Sequence, residues 1–219
     1  MQRLVRLNNI KYKFPYWGPL LMEVEMKDEV ISLLLKKGKE NQKKHLDARK
    51  KLAAIINKAY YYEKVEWFYP LFDPFVNAYI EAVSDYKEGA FTIASGKNRN
   101  TPTGWELDGL WINYQKANEY NPPHSHVGDL SFVIYVQVPE EIVKENEETK
   151  DEHNNQGPGV ICFDLGPDMQ FAVSATTMMP KVGRAFIFPA WLKHHVFAFK
   201  SDVERISVSG NIIFKYDKI

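Results

Sequence analysis

Asn121-Pro122-Pro123-His124-Ser125-His126-Val127-Gly128-Asp129 runs directly into Leu130-Ser131-Phe132-Val133-Ile134-Tyr135-Val136. The second part of this stretch has the composition of a strand: β-branched and aromatic residues fill it, and turn-forming Gly128 and Asp129 precede it. In an extended chain residues i and i+2 share a face, so His124 and His126 project together. The same texture recurs along the chain. Trp111–Gln115, Val160–Leu165, Met169–Ala175, Ala185–Pro189, Val196–Phe199 and Arg205–Phe214 are short β-rich runs divided by turns, with no long helical pattern between them. Together with Leu130–Val138 they predict an antiparallel sandwich or barrel beyond Lys87.

Upstream the period changes. Met26, Val30, Leu33 and Leu34 recur at helical spacing, Leu46, Leu52, Ile55 and Ile56 do so more loosely, and Leu71, Phe75 and Tyr79 follow Pro70. Helices are therefore expected up to about Tyr86. The organisation this predicts is one structural domain, with a helical N-terminal region over 1–100 packed on a β core over 101–219. One segment interrupts the β pattern. Glu140 to Glu152 holds seven acidic residues against two lysines, with almost nothing apolar after Val143, which predicts a solvated loop over 140–157 that has the option of acting as a lid.

Composition excludes several classes. The 219 residues carry 28 Lys+Arg and 28 Asp+Glu, so neither a nucleic-acid nor an anionic-membrane footprint is indicated for the whole chain. Neutrality is nevertheless a cancellation, because residues 1–60 hold 14 Lys/Arg against 6 Asp/Glu. A hydrophobic content of 45% with 14% aromatics is ample for a packed interior. The single cysteine, Cys162, permits no internal disulfide and no cysteine-pair zinc site. No signal-like or membrane-spanning apolar run is present, and the expectation is a soluble cytoplasmic protein.

A second histidine cluster lies in Phe186-Ile187-Phe188-Pro189-Ala190-Trp191-Leu192-Lys193-His194-His195-Val196. Adjacent histidines diverge in a strand, so only one of His194 and His195 can join a set begun by His124 and His126. Three ligands with open positions on a β scaffold make a reactive metal centre. His45 and His153 fall in a basic helix and a polar loop and read as solvated. Arg205 stands eleven residues beyond His194 in an apolar strand, where its planar fork is costly unless it meets an anion. The aromatics, among them Trp105, Trp111, Phe163, Phe171 and Trp191, read mainly as core.

The succession of the His-x-His cluster entering a Ser-Phe-Val-Ile-Tyr strand, then Pro180 and Gly183 ahead of Phe188-Pro189-Ala190-Trp191-Leu192-Lys193-His194, then Glu204-Arg205-Ile206-Ser207, resembles the iron(II)/2-oxoglutarate-dependent oxygenases, especially a branch common in tailed phages. The resemblance covers roughly Trp105 to Phe214. It implies a double-stranded β-helix, the cupin-like jelly-roll, with Fe(II) at one mouth, 2-oxoglutarate as cosubstrate and O2 as oxidant. If the origin is a phage, the host cytoplasm is the implied location. By motif position, His124, His126 and His194 are the implied metal ligands. Arg205 is implied to bind the far carboxylate of 2-oxoglutarate, assisted by a hydroxyl from Tyr114, Tyr135 or Ser207. The implied activity couples decarboxylation of 2-oxoglutarate to succinate with oxidation, most simply hydroxylation, of a second substrate.

One departure from the family matters. Most members use His-x-Asp or His-x-Glu with a distal histidine, whereas this chain has His124-Ser125-His126. Either three histidines form the site, or His126 is the first ligand and Asp129 supplies a carboxylate after a bend at Gly128. Two rivals to the oxygenase reading are a cupin-like metalloenzyme without 2-oxoglutarate and a non-catalytic jelly-roll binding or structural module. The partner implied is a small dianion, and the primary substrate is not legible because one fold serves many substrates.

Overall fold

All seven residues from Leu130 to Val136 are buried, which an antiparallel strand with one wet face cannot achieve. Both sides of this strand are covered. The computed structural model describes residues 5–7, 10–12, 18–86, 101–150, 157–167, 169, 170 and 172–217. Its elements are β1 (Val5–Leu7), β2 (Ile10–Tyr12), β3 (Met22–Glu25), α1 (Asp28–Lys43), β4 (Ala59–Tyr61), α2 (Tyr69–Tyr86), β5 (Gly104–Gln115), β6 (Asn121–His124), β7 (Leu130–Gln137), α3 (Glu140–Lys150), β8 (Ile161–Asp164), β9 (Ala175–Met178), β10 (Arg184–Pro189), β11 (Lys193–Val196) and β12 (Arg205–Lys215). Two antiparallel sheets carry the fold, one of six strands in the order β3-β10-β7-β12-β5-β4 and one of four in the order β6-β11-β8-β9. This is the double-stranded β-helix, mainly β, with three α-helices among the described residues.

Side-chain alternation separates two cores. Phe132, Ile134 and Val136 of β7, Ala185 and Ile187 of β10, Ile206 and Val208 of β12, and Ile112 and Tyr114 of β5 face the helices, where they pack with Leu34 of α1 and Phe72 and Val76 of α2. Phe132 stacks against Phe68 at a ring separation of 5.5 Å and meets Phe72 tilted by 40° at 4.4 Å. The neighbouring residues Val133, Tyr135, Phe186 and Phe188 face the smaller sheet and meet Ile161, Phe163 and Val196. The six-stranded sheet is thus a partition, with helices behind it and the second sheet in front.

The N-terminal region differs from the helical expectation. β3 and β4 come from it and form the two edges of the large sheet. Such three- and four-residue strands are too short to register as a period. Leu46 to Ile56 is not helical either: it holds a 3-10 turn at Arg49–Lys51 and isolated bridges Asp47↔Tyr60 and Ile55↔Tyr120. Asp47 Oδ1 accepts hydrogen bonds from both the backbone N–H and Nε of Arg49, each at 2.9 Å, a local closure that competes with helix formation.

The acidic segment is helix α3 over its first eleven residues rather than a loop. Glu140 and Glu141 in the first turn suit the helix dipole, and fully buried Ile142 supplies an anchor. Glu145 accepts the backbone N–H groups of Lys200 and Ser201, both at 2.8 Å. Residues 151–156, and His153 with them, lie outside the described residues. The strand expected at Met169–Ala175 begins only at Ala175, where β9 pairs with β8, and Phe171 lies outside the described residues. The strand expected at Val196–Phe199 ends at Val196 as β11. Among the described residues no helix is long and apolar enough to cross a membrane.

Candidate metal centre

The first histidine pair sits at the end of an edge strand. Pro122 and Pro123 cannot donate to a ladder on both sides, and β6 accordingly borders the four-stranded sheet. Among the described residues β6 pairs only with β11, and the register sets His124 opposite His194. Beyond β6 the chain turns through His126, whose N–H donates to Ala190 O at 2.9 Å, and Gly128 at φ 110° brings it within reach of β12. A side chain there would meet Ile212 O at 2.9 Å, so only glycine fits this turn.

These constraints bring the three rings together. Ring centroids are 4.3 Å apart for His124 and His194, 4.9 Å for His124 and His126, and 5.2 Å for His126 and His194. One ligand nitrogen from each lies within 4.8 Å of the others. His124 Nδ1 is 2.7 Å from Pro122 O and His194 Nδ1 is 3.0 Å from Leu192 O. A carbonyl only accepts, so both Nδ1 atoms carry the proton and both Nε2 atoms keep a lone pair, the tautomer a metal ligand needs. Burial disfavours the imidazolium: it lowers His124, pulls His126 to about 4 and His194 to about 3, with the neighbouring imidazoles adding to the effect. All three are neutral at pH 7 and fit a divalent cation.

Asp129 does not join them. Its Oδ2 accepts the N–H of Phe214 at 2.7 Å, tying the turn to β12. His195 points to the other side of β11, where its Nδ1 meets Asp164 Oδ2 at 3.0 Å. Phe163 and Phe188 flank His194 at ring separations of 6.2 and 4.8 Å.

The histidines share one pocket with Arg205, Tyr135 and Ser207. Arg205 is buried, and its donors find only neutral acceptors, Gly159 O at 2.6 Å and the side-chain carbonyl of Gln115, while its Nε has no partner among the described residues. Desolvation lowers its pKa without a carboxylate to offset it. Its guanidinium lies 5.6 Å from the Tyr135 ring centroid, and the Tyr135 hydroxyl is buried and also unpartnered. Each such orphaned group costs about 1–3 kcal/mol. An anionic guest that accepts from both would offset these costs.

Tyr114 is not brought to this pocket. Alternation along β5 sends it to the helix side, where its hydroxyl lies 3.3 Å from the position that a Cβ at Gly38 would occupy. Its neighbours Asn113 and Gln115 face inward instead. The pocket also uses Trp111, which the sequence places mainly in the core, and Asn113 and Asn121, which have no role in the sequence reading and whose buried Oδ1 atoms have no partner among the described residues. Polar residues at i, i+2 spacing within the apolar β5 run were the available signal. Leu52, Ala53, Ala54 and Ile56 add an apolar wall.

Residues 109–211 match the family model described as "Putative 2OG-Fe(II) oxygenase". No curated protein matches the sequence. Three solved structures share the fold at low identity. A prolyl-4-hydroxylase from Pseudomonas putida has TM-score 0.53 and 11% identity, covering 90% of this chain and 93% of that one. The viral collagen prolyl hydroxylase of Paramecium Bursaria Chlorella virus-1, in its 2OG complex, has TM-score 0.51 and 14% identity over 89% and 96%. A prolyl hydroxylase from Trichoplax adhaerens, in complex with a hypoxia inducible factor peptide fragment, has TM-score 0.51 and 10% identity over 91% and 84%.

Proposed function

We propose that the chain, whose residues 109–211 match the 2OG-Fe(II) oxygenase model, is a hydroxylase of that family with its iron held by His124, His126 and His194. The family takes Fe(II), 2-oxoglutarate and O2. The observation that carries the assignment of residues is the pairing of two unusual features in one pocket: three neutral imidazoles with convergent ligand atoms, and a buried arginine without a counter-anion. When bound, Fe(II) supplies the redox chemistry that consumes O2 and converts 2-oxoglutarate to succinate and CO2 while the second substrate is oxidised.

The chain's own residues select, orient and shield. Arg205 donates to the far carboxylate of 2-oxoglutarate from its free Nε, and the Tyr135 hydroxyl adds a second donor. Ser207, on the inward face of β12, lies directly across from Tyr135 in the ladder and contributes a third polar group at that end. His124 and His194 are held to one tautomer by Pro122 O and Leu192 O, so their lone pairs are oriented before the metal arrives. The three imidazoles add no negative charge, which leaves the full charge of the cation to attract a dianion.

The second substrate approaches past Leu52, Ala53, Ala54, Ile56 and Trp111, an apolar wall that suits a C–H-bearing, uncharged group. Prolyl side chains in peptides meet that description, and the fold is shared with prolyl hydroxylases. Succinate release from 2-oxoglutarate tests the proposal. The wild type should turn over 2-oxoglutarate in the presence of Fe(II) and O2, and Arg205→Ala should need about 100-fold more of it, the cost of removing one partner of a buried charged contact. Turnover insensitive to Arg205→Ala would overturn the cosubstrate assignment.

A further inference from the structure

The outer face of the four-stranded sheet carries a second convergence of ligand-type side chains. β8 and β11 are antiparallel, with Cys162 opposite His195 and Asp164 opposite Lys193. Alternation puts Cys162, Asp164 and His195 on one face, while Phe163 and His194 occupy the other. The sheet itself therefore separates this group from the three-histidine centre.

Sγ, a carboxylate oxygen and an imidazole nitrogen of these residues all lie within 4.8 Å of one another. Asp164 stands between the other two: Oδ2 is 3.0 Å from His195 Nδ1, and Cys162 Sγ donates to Oδ1 at 3.5 Å. That arrangement is wrong for a nucleophile, because the carboxylate intervenes between thiol and imidazole. Burial and the nearby Asp164 also push the Cys162 thiol up to about 12. It is right for a cation. Zinc–sulfur and zinc–nitrogen bonds of about 2.3 and 2.0 Å give a tetrahedron with edges of about 3.5 Å, near the 3.5 and 3.0 Å that separate Asp164 from Cys162 and His195. Cys162 is buried, whereas the His195 and Asp164 side chains keep 17% and 27% of their surface, so an ion can enter from the carboxylate and imidazole side.

We propose that Cys162, Asp164 and His195 form a second metal site, specific for a borderline divalent cation of the zinc class, with water in the fourth position. The thiol proton leaves to solvent as the sulfur becomes a ligand. Asp164 exchanges its two hydrogen bonds for the metal, and His195 changes tautomer through solvent, giving up the Nδ1 proton as Nε2 takes one up, so that Nδ1 presents a lone pair and the thiol proton is the one released. The ion then clips β8 to β11 directly behind His194, bracing the strand that presents that ligand.

Cobalt(II) titration of the folded chain tests this, because a thiolate ligand gives a near-ultraviolet sulfur-to-cobalt charge-transfer band that an all-histidine site lacks. Cys162 is the only cysteine, so the band has one source. One equivalent of Co(II) should produce it in His126→Ala, which disables the other centre, and two equivalents should produce it in the wild type, and Zn(II) should bleach it. Cys162→Ser should abolish it, and Asp164→Asn and His195→Gln should each weaken the cobalt affinity, which keeps the test decisive if the serine variant does not fold. No band in the folded wild type would overturn the proposal, as would affinity unchanged in Asp164→Asn and His195→Gln.

Discussion

At the scale of single residues, one position along a strand decides the role of a side chain. Tyr114 and Tyr135 are equally eligible in sequence, but Tyr135 lies on the inward face with Arg205 and Tyr114 lies against α1. Tyr135→Phe should therefore weaken 2-oxoglutarate binding by about tenfold or more, the worth of a hydrogen bond to a charged group, and Tyr114→Phe should leave it unchanged. Equilibrium binding of 2-oxoglutarate to the Fe(II) form checks both. The histidines carry a pH consequence. Burial first, and the neighbouring imidazoles next, hold His126 and His194 below the usual 6.5, so the unfolded chain binds more protons in acid than the folded one. Stability of the metal-free protein should accordingly be complete above pH 6.5 and decline as the pH falls toward 4, with denaturant midpoints as the measure. A flat profile over that interval would contradict the burial argument.

The two motifs that meet in the pocket were legible at this scale, because His124-x-His126 and an arginine in an apolar strand are unusual on their face. The choice between a third histidine and Asp129 was not. It depends on how the chain leaves the turn at Gly128, and there Asp129 is taken by the N–H of Phe214.

At the scale of elements, long strands announced themselves and short ones did not. β7 and β12 were legible from their β-branched runs, while β3 and β4 owe their conformation to the sheet edges they complete. α3 is the clearest failure of composition. Its sequence is acidic enough to read as a loop, yet one buried apolar side chain and one carboxylate hold it in place. Ile142→Ala should cost about 2–5 kcal/mol if the helix keeps its position, and Glu145→Ala should expose the amides of Lys200 and Ser201 to hydrogen exchange. Global stability unaltered by Ile142→Ala would show that α3 is not docked through that residue.

At the scale of the whole molecule, the large sheet divides structural work from chemistry. Its helix-facing side is closed by Phe68, Phe72 and Phe132, whereas its other side shares a pocket with the histidines of the second sheet. Phe132→Ala should destabilise by about 3–5 kcal/mol while leaving the metal ligands in place at temperatures below the transition. Charge follows the same division. The net neutrality of the sequence says little about partners, since the positive charge that the proposed cosubstrate would meet is buried at Arg205.

The central claim is that three histidines and Arg205 together bind iron and 2-oxoglutarate. Its most direct test is the anaerobic addition of Fe(II) and then 2-oxoglutarate, read as the weak visible charge-transfer band of the chelated 2-oxo acid. The account predicts the band in the wild type and its loss in His194→Ala, with Arg205→Ala regaining it only at higher 2-oxoglutarate; a folded wild type that shows no band would contradict it.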